Sequence, residues 1–201
     1  REQVVYESTH QFDDFDLHDL LKSNLKRKGF QAPTPIQDQA VPHGLLGKDI
    51  VGIANTGTGK TIGFALPMLH KLMIDPESRA LVMAPTRELA QQSEDECRVV
   101  AKGSGLTGAL LIGGTAMGPQ LRDLRADPRI VIGTPGRIKD HIERGTLKVG
   151  GFNIVVLDEV DRMLDMGFVH DMRQILQQVA SERQSFFFSA TMDHKVSSLI
   201  K

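Results

Sequence analysis

Residues 153–165 read NIVVLDEVDRMLD. Ile154, Val155, Val156 and Leu157 form an unbroken apolar run, mostly β-branched, without the alternation of a half-buried strand. Such a run predicts a strand covered on both faces, as in a parallel sheet with helices above and below. Asp158, Glu159 and Asp161 follow at once. Three like charges at the end of a buried strand repel one another unless a positive group sits among them.

Outward from this run the chain alternates short apolar segments with helical ones. Strands are expected at 49–53, 80–84, 108–112, 130–133, 154–158 and 185–189. Amphipathic stretches lie near 60–74, 86–102, 117–126, 135–144, 168–180 and 193–200. Strand, helix, strand with right-handed crossovers gives an α/β fold, a mostly parallel β-sheet with helices on both faces. Residues 1–47 are expected to form an N-terminal extension packed on a core domain of residues 48–201, with helices joined by the turn-rich GFQAPTPIQ. Ligands of such sheets bind at the carboxyl ends of the strands, and the chain's marked residues fall there.

Composition limits the possibilities. The 201 residues, 40% of them hydrophobic, suffice for one well-cored domain. A formal net charge of −1 provides no general basic field, so any nucleic-acid contact must be local. Cys97, expected in the core, is the only cysteine, which excludes a disulfide framework and a thiolate zinc cluster. The 7 histidines are scattered and form no metal-binding helix pattern. No apolar run is long enough to span a membrane, and the expected compartment is the cytoplasm. The first residue is Arg1 and the last, Lys201, falls in an expected helix, so a fragment of a longer protein is expected.

The first predicted strand leads into Ala54, Asn55, Thr56, Gly57, Thr58, Gly59, Lys60 and Thr61. Gly57 and Gly59 let successive N–H groups turn inward, and the following helix adds its positive N-terminus, making a phosphate cradle. Lys60 can reach the outer phosphates and Thr61 can ligate Mg²⁺. Ala54 stands where the general P-loop pattern has glycine. Lys60 is expected at a solvent-facing loop–helix junction, so that its loss would weaken nucleotide binding and spare the fold. A Mg²⁺–nucleotide would supply the positive charge that the acids lack. Asp158 is then the metal acid, Glu159 the base that orients and deprotonates water, and Asp161 a group that holds its neighbours. The bland alternative is a solvated acidic helix start.

The chain resembles the DEAD-box RNA helicases, and the resemblance runs through nearly all of it in the family's motif order. GFQAPTPIQ (29–37) resembles the Q motif, with Phe12 at the upstream aromatic position. ANTGTGKT (54–61) is similar to motif I, PTREL (85–89) to motif Ia and Gly113–Gly114 to the glycine doublet. TPGR (134–137) is similar to motif Ib and SAT (189–191) to motif III. DEVD departs from the family by Val160 in place of Ala, which could crowd motif III. DRMLDMGF resembles a bacterial subgroup, and Met163 and Met166 are expected to pack.

The resemblance implies a RecA-like P-loop fold using ATP and Mg²⁺. It implies that Gln37 reads adenine through its amide, with Phe12 and Phe30 near the base. It further implies a sequence-independent RNA track of Pro85, Thr86, Arg87, Gly113, Gly114, Thr134, Pro135, Gly136 and Arg137. Ser189, Ala190 and Thr191 would couple nucleotide state to Asp161. On residue chemistry alone, the favoured reading of Gln37 is a solvated side chain after a proline-rich turn, and the resemblance reverses it. The track is equally three βα turns with capping threonines. The implied partners are RNA and a C-terminal RecA-like domain, with no membrane, and the fragment is expected to be a monomer. The rivals are a DNA-directed superfamily-2 motor and a nucleotide-gated RNA clamp.

Overall fold

The computed structural model describes residues 8–200. Six strands are formed, β1 (Ile50–Ile53), β2 (Ala80–Met83), β3 (Gly108–Leu111), β4 (Ile130–Gly133), β5 (Ile154–Leu157) and β6 (Gln184–Ser189). They build one sheet in the order β1-β6-β5-β2-β4-β3, with every pairing parallel. The opening run is β5. It lies between β6 and β2, and all four of its residues are buried. That position is why its sequence does not alternate: both faces meet apolar cores.

Helices α1 (Asp19–Arg27), α2 (Pro35–Leu45), α3 (Lys60–Ile74) and α4 (Arg87–Val100) are followed by α5 (Met117–Arg125) and α6 (Pro135–Glu143). The last three are α7 (Val160–Asp165), α8 (Val169–Gln178) and α9 (His194–Ile200). One core joins α1–α4 to Val82, Ile132, Val156, Phe186 and Phe188. The other joins α6–α9 to Leu81, Met83, Val131, Val155, Leu157 and Phe187. The strands therefore do have period 2; it distributes apolar residues between two cores and leaves no polar face.

The N-terminal segment enters the first core through Phe12, Phe15, Leu17, Leu21, Leu25 and Val41. Asp38 on α2 fastens it, accepting from Thr9 N (2.9 Å) and Thr9 Oγ1 (2.8 Å) and meeting His10 Nδ1 (2.6 Å). Cys97 is buried, which pushes its thiol up to about 12.

One local expectation is corrected. Met166 is 48% exposed, at the break between α7 and α8 where Gly167 takes φ 86°; Met163 is the fully buried member of the pair. Val160 is fully buried in the second core. Asp161 N still donates to Ser189 Oγ (3.3 Å), and Thr191 Oγ1 donates to Asp161 Oδ2 (3.2 Å).

Candidate nucleotide site and basic track

The loop between β1 and α3 closes over the end of β5. Gly57 and Gly59 take φ 85° and 80°, a region open mainly to glycine. Ala54 lies outside that region, so a β-carbon is tolerated where the general pattern has glycine; its N–H donates to Ser189 O at 3.0 Å. Thr58 Oγ1 donates to Asn55 O (2.7 Å), and Thr56 Oγ1 crosses to Glu159 Oε1 (2.9 Å).

The positive group demanded by the acid cluster is Lys60. Its Nζ stands 3.0 Å from Asp158 Oδ1 and 3.9 Å from Glu159 Oε1. Lys60 is only 5% exposed, so the expectation of a solvent-facing lysine is overturned. The sheet brings this about: β5 ends beside β1's neighbour β6, and the cradle folds over that edge. Burial holds the Asp158 carboxyl above its ordinary range, with Lys60 pulling the other way. Glu159 occupies the left-handed region at φ 55°, ψ 56° as the N-cap of α7. A non-glycine residue held there carries strain of order 1–3 kcal/mol, a common companion of functional groups.

Lys60 Nζ is held by the acids, and Glu159 Oε2 is buried without a hydrogen-bond partner among the described residues. Such a group is unfavourable unless a ligand satisfies it. A cation-neutralised polyphosphate fits this donor set, with Lys60 for phosphate oxygen and Thr61 and Asp158 as hard oxygen ligands for Mg²⁺. Nothing lies within 4 Å of the position a Gly57 β-carbon would take, which leaves room above the loop. Among the described residues no cluster of His, Cys, Asp and Glu could hold a metal unaided. Mg²⁺ sites with one or two protein ligands completed by substrate phosphates are of this kind.

Gln37 reaches the cradle rather than solvent and is 3% exposed. Its Oε1 accepts from Thr34 N (3.0 Å) and its Nε2 donates to Gly59 O (2.9 Å). One lone pair and one N–H remain on the amide. A β-carbon at Gly59 would come within 2.5 Å of that Nε2, so glycine here serves closeness as well as dihedral. Phe12 is buried, edge-on to Phe15 (5.9 Å) and Phe30 (6.1 Å). Of the two expected base-side rings, only Phe30, at 39%, is open to a ligand. A cleft of about 450 Å³ beside the loop is lined by Thr34, Pro35, Ile53, Asn55, Thr58 and Ala190.

Glu96 was not foreseen. It lies on α4 beside the buried stripe Ala90–Ser93–Cys97–Val100, a border position that helical periodicity could have marked. Burial raises its carboxyl, while a hydrogen bond from Thr61 favours the charged form.

The basic residues gather at the same strand ends. Thr86 caps α4, its Oγ1 accepting from Leu89 N (3.2 Å), whereas Thr134 precedes α6 without a side-chain bond. Arg87 is exposed, and its Nη1 lies 2.8 Å from where a Gly114 β-carbon would stand. Gly114 also has φ 74°. Arg137 is half-buried and Gly136 exposed, while Pro85 and Pro135 are buried and shape the turns.

A glycine-rich loop before a helix that starts on a buried lysine, facing acids at the ends of parallel strands, defines the class as a P-loop domain. The sequence profile of the DEAD/DEAH box helicase family matches residues 34–199, and the chain belongs to that family. The ATP-dependent RNA helicase CshA of Listeria monocytogenes is 47% identical over 184 residues, which are 90% of this chain and 35% of that protein. The DEAD-box ATP-dependent RNA helicase CshA of Bacillus subtilis is 46% identical, with 37% of its length covered. The crystal structure of a DEAD box protein from Methanococcus jannaschii superposes with a TM-score of 0.88 at 38% identity. It covers 94% of this chain and 52% of that one. A hypothetical ATP-dependent RNA helicase from Sulfolobus tokodaii gives 0.85 at 32%, over 92% and 54%. The chain thus spans a little over a third of its curated relatives.

Proposed function

We propose that this chain is the N-terminal motor domain of an ATP-dependent RNA helicase that remodels RNA together with a second RecA-like domain. The observation that carries the reading is the buried Lys60, whose Nζ stands 3.0 Å from Asp158 Oδ1 and 3.9 Å from Glu159 Oε1 at the start of the helix that follows the glycine-rich loop. We assign residues 48–201 to the nucleotide-binding core and 1–47 to the extension that brings Gln37 to it.

In this reading Lys60 leaves Asp158 and binds the outer phosphates of ATP. Gln37 turns its remaining lone pair and N–H to the adenine edge, which guanine, with a carbonyl there, does not match. Thr61 and Asp158 would hold Mg²⁺, which when bound would neutralise charge on the phosphates. Glu159 orients a water and takes its proton. Thr56 is released from Glu159 as the cradle opens, so nucleotide entry and base activation are linked. Asp161, Ser189 and Thr191 carry the change toward the track, where Arg87, Arg137 and exposed N–H groups hold phosphates of single-stranded RNA. Recognition through phosphates and 2′-hydroxyls leaves base sequence unread.

The test is steady-state phosphate release by the full-length protein with single-stranded RNA, with DNA and with no nucleic acid, beside Arg87→Ala. RNA-specific stimulation that Arg87→Ala reduces is expected. Equal stimulation by DNA would make the protein a DNA-directed motor. RNA binding without turnover would make it a clamp.

A further inference from the structure

The glycine doublet and Arg137 belong to different strands' ends, yet one side chain holds both. Gln120, in the first turn of α5, is 5% exposed. Its Nε2 donates to Ile112 O and to Thr115 Oγ1, each at 2.9 Å, and these residues bracket Gly113–Gly114. Thr115 Oγ1 in turn donates to Ile112 O at 3.0 Å. On the other side Gln120 Oε1 accepts from Arg137 Nη1 (3.3 Å) and from His141 Nε2 (2.9 Å).

The bonding fixes the amide's orientation. Ile112 O can only accept, so the NH₂ group faces the loop and the oxygen faces α6. His141 therefore carries its proton on Nε2. Its Nδ1 meets Thr146 Oγ1 at 2.8 Å. His141 is fully buried, and burial, followed by the neighbouring Arg137 charge, lowers its tendency to protonate. Both N–H groups and both lone pairs of the Gln120 amide are used. A buried polar network satisfied in this way is rigid, because any shift leaves a buried group unpaired.

We infer that Gln120, backed by His141, is a positioning residue that locks the glycine doublet and Arg137 into one phosphate-spacing surface. It touches no RNA itself. Arg137 keeps further guanidinium N–H groups beyond the one given to Gln120, and Arg87 against Gly114 extends the same surface to α4. The inference rests on the RNA-track reading proposed above.

A double-mutant cycle on the full-length protein tests it, with fluorescence anisotropy of a labelled single-stranded RNA at low salt. Arg137→Ala is expected to weaken RNA about tenfold, the worth of one charge-assisted contact. Gln120→Met, close in volume, is expected to weaken it about fivefold. The double variant should bind about twofold worse than Arg137→Ala rather than fivefold, because the share of Gln120's effect carried by Arg137 is already lost and only the share carried by the glycine doublet remains. Mg²⁺–ATP affinity should be unchanged throughout, which general loosening of the fold would not allow. Additive losses, or an unaltered affinity in Gln120→Met, would overturn the positioning role and leave the track standing. An unaltered affinity in Arg137→Ala would overturn the track reading itself. Should Gln120→Met not fold, His141→Phe removes one of the four amide bonds and keeps a ring in place; its loss of affinity must likewise shrink in the Arg137→Ala background.

Discussion

Replacing Lys60 by Met removes a cation from acids that the fold has already buried. The Lys60 side chain is 6% exposed and that of Asp158 2%, with Nζ and Oδ1 3.0 Å apart. Breaking a buried ion pair from one side costs about 3–5 kcal/mol, because the remaining charge keeps its burial and loses its partner. Met fills the space and keeps water out. Burial already raises the Asp158 carboxyl, Lys60 opposes that rise, and without Lys60 the carboxyl rises further. A carboxyl raised in the folded state binds its proton before the unfolded chain does. The penalty is therefore full above the raised folded pKa and shrinks as pH falls through it toward the ordinary aspartate range. Once Asp158 is neutral, roughly 1 kcal/mol of lost polar contact remains. At about 2–4 °C per kcal/mol for a domain of this size, Tm should fall by roughly 6–20 °C near neutral pH and by only a few degrees in mild acid. The assay is thermal unfolding across pH in buffer free of nucleotide and metal. A variant that melts with the wild type at neutral pH would refute the buried pair. A penalty that stays constant with pH would refute the role given to Asp158.

Other outcomes follow from the same geometry. Gln37→Ala removes the bonds to Gly59 O and Thr34 N, and should loosen the cradle and weaken ATP by about 1–3 kcal/mol while erasing preference over GTP; competition of both nucleotides against a fluorescent analogue checks it. Gly133→Ala would place a β-carbon 2.3 Å from Leu111 O and 3.1 Å from Ile138 Cγ1. Urea unfolding should show a loss of about 1–3 kcal/mol or more from overpacking, and an unchanged midpoint would mean that β3 and β4 separate freely. Residues 1–201 alone should hydrolyse ATP barely above background and show little RNA stimulation, since a cation from a facing domain is worth about 10³–10⁵ in rate in related chemistry; phosphate release equal to the full-length protein's would exclude a two-domain mechanism.

What was legible in the sequence was local. The apolar run 154–157 announced a central parallel strand, and ANTGTGKT a phosphate loop at a strand–helix junction. Strand ends were off by a residue or so because a strand's last residue, as at Asp158, is often the first functional one. What was not legible depended on distant partners. Lys60 reads as an exposed cation until β5 brings Asp158 beneath it. Gln37 reads as a ligand-facing amide, yet 22 residues on, Gly59 O already takes one of its protons. Glu96 is one charge in an acidic helix until Thr61 faces it. The Gln120–His141 bond spans 21 residues and two helices, with no spacing rule to reveal it.

The central claim is that the cradle, Gln37 and the DEVD acids form one site for Mg²⁺–ATP. Equilibrium titration of the wild-type chain with ATP and GTP, each with Mg²⁺ and with chelator, tests it most directly. ATP is expected to bind at least about tenfold tighter than GTP, and chelation to weaken its binding. Equal affinities for the two nucleotides, or ATP binding indifferent to Mg²⁺, would contradict it.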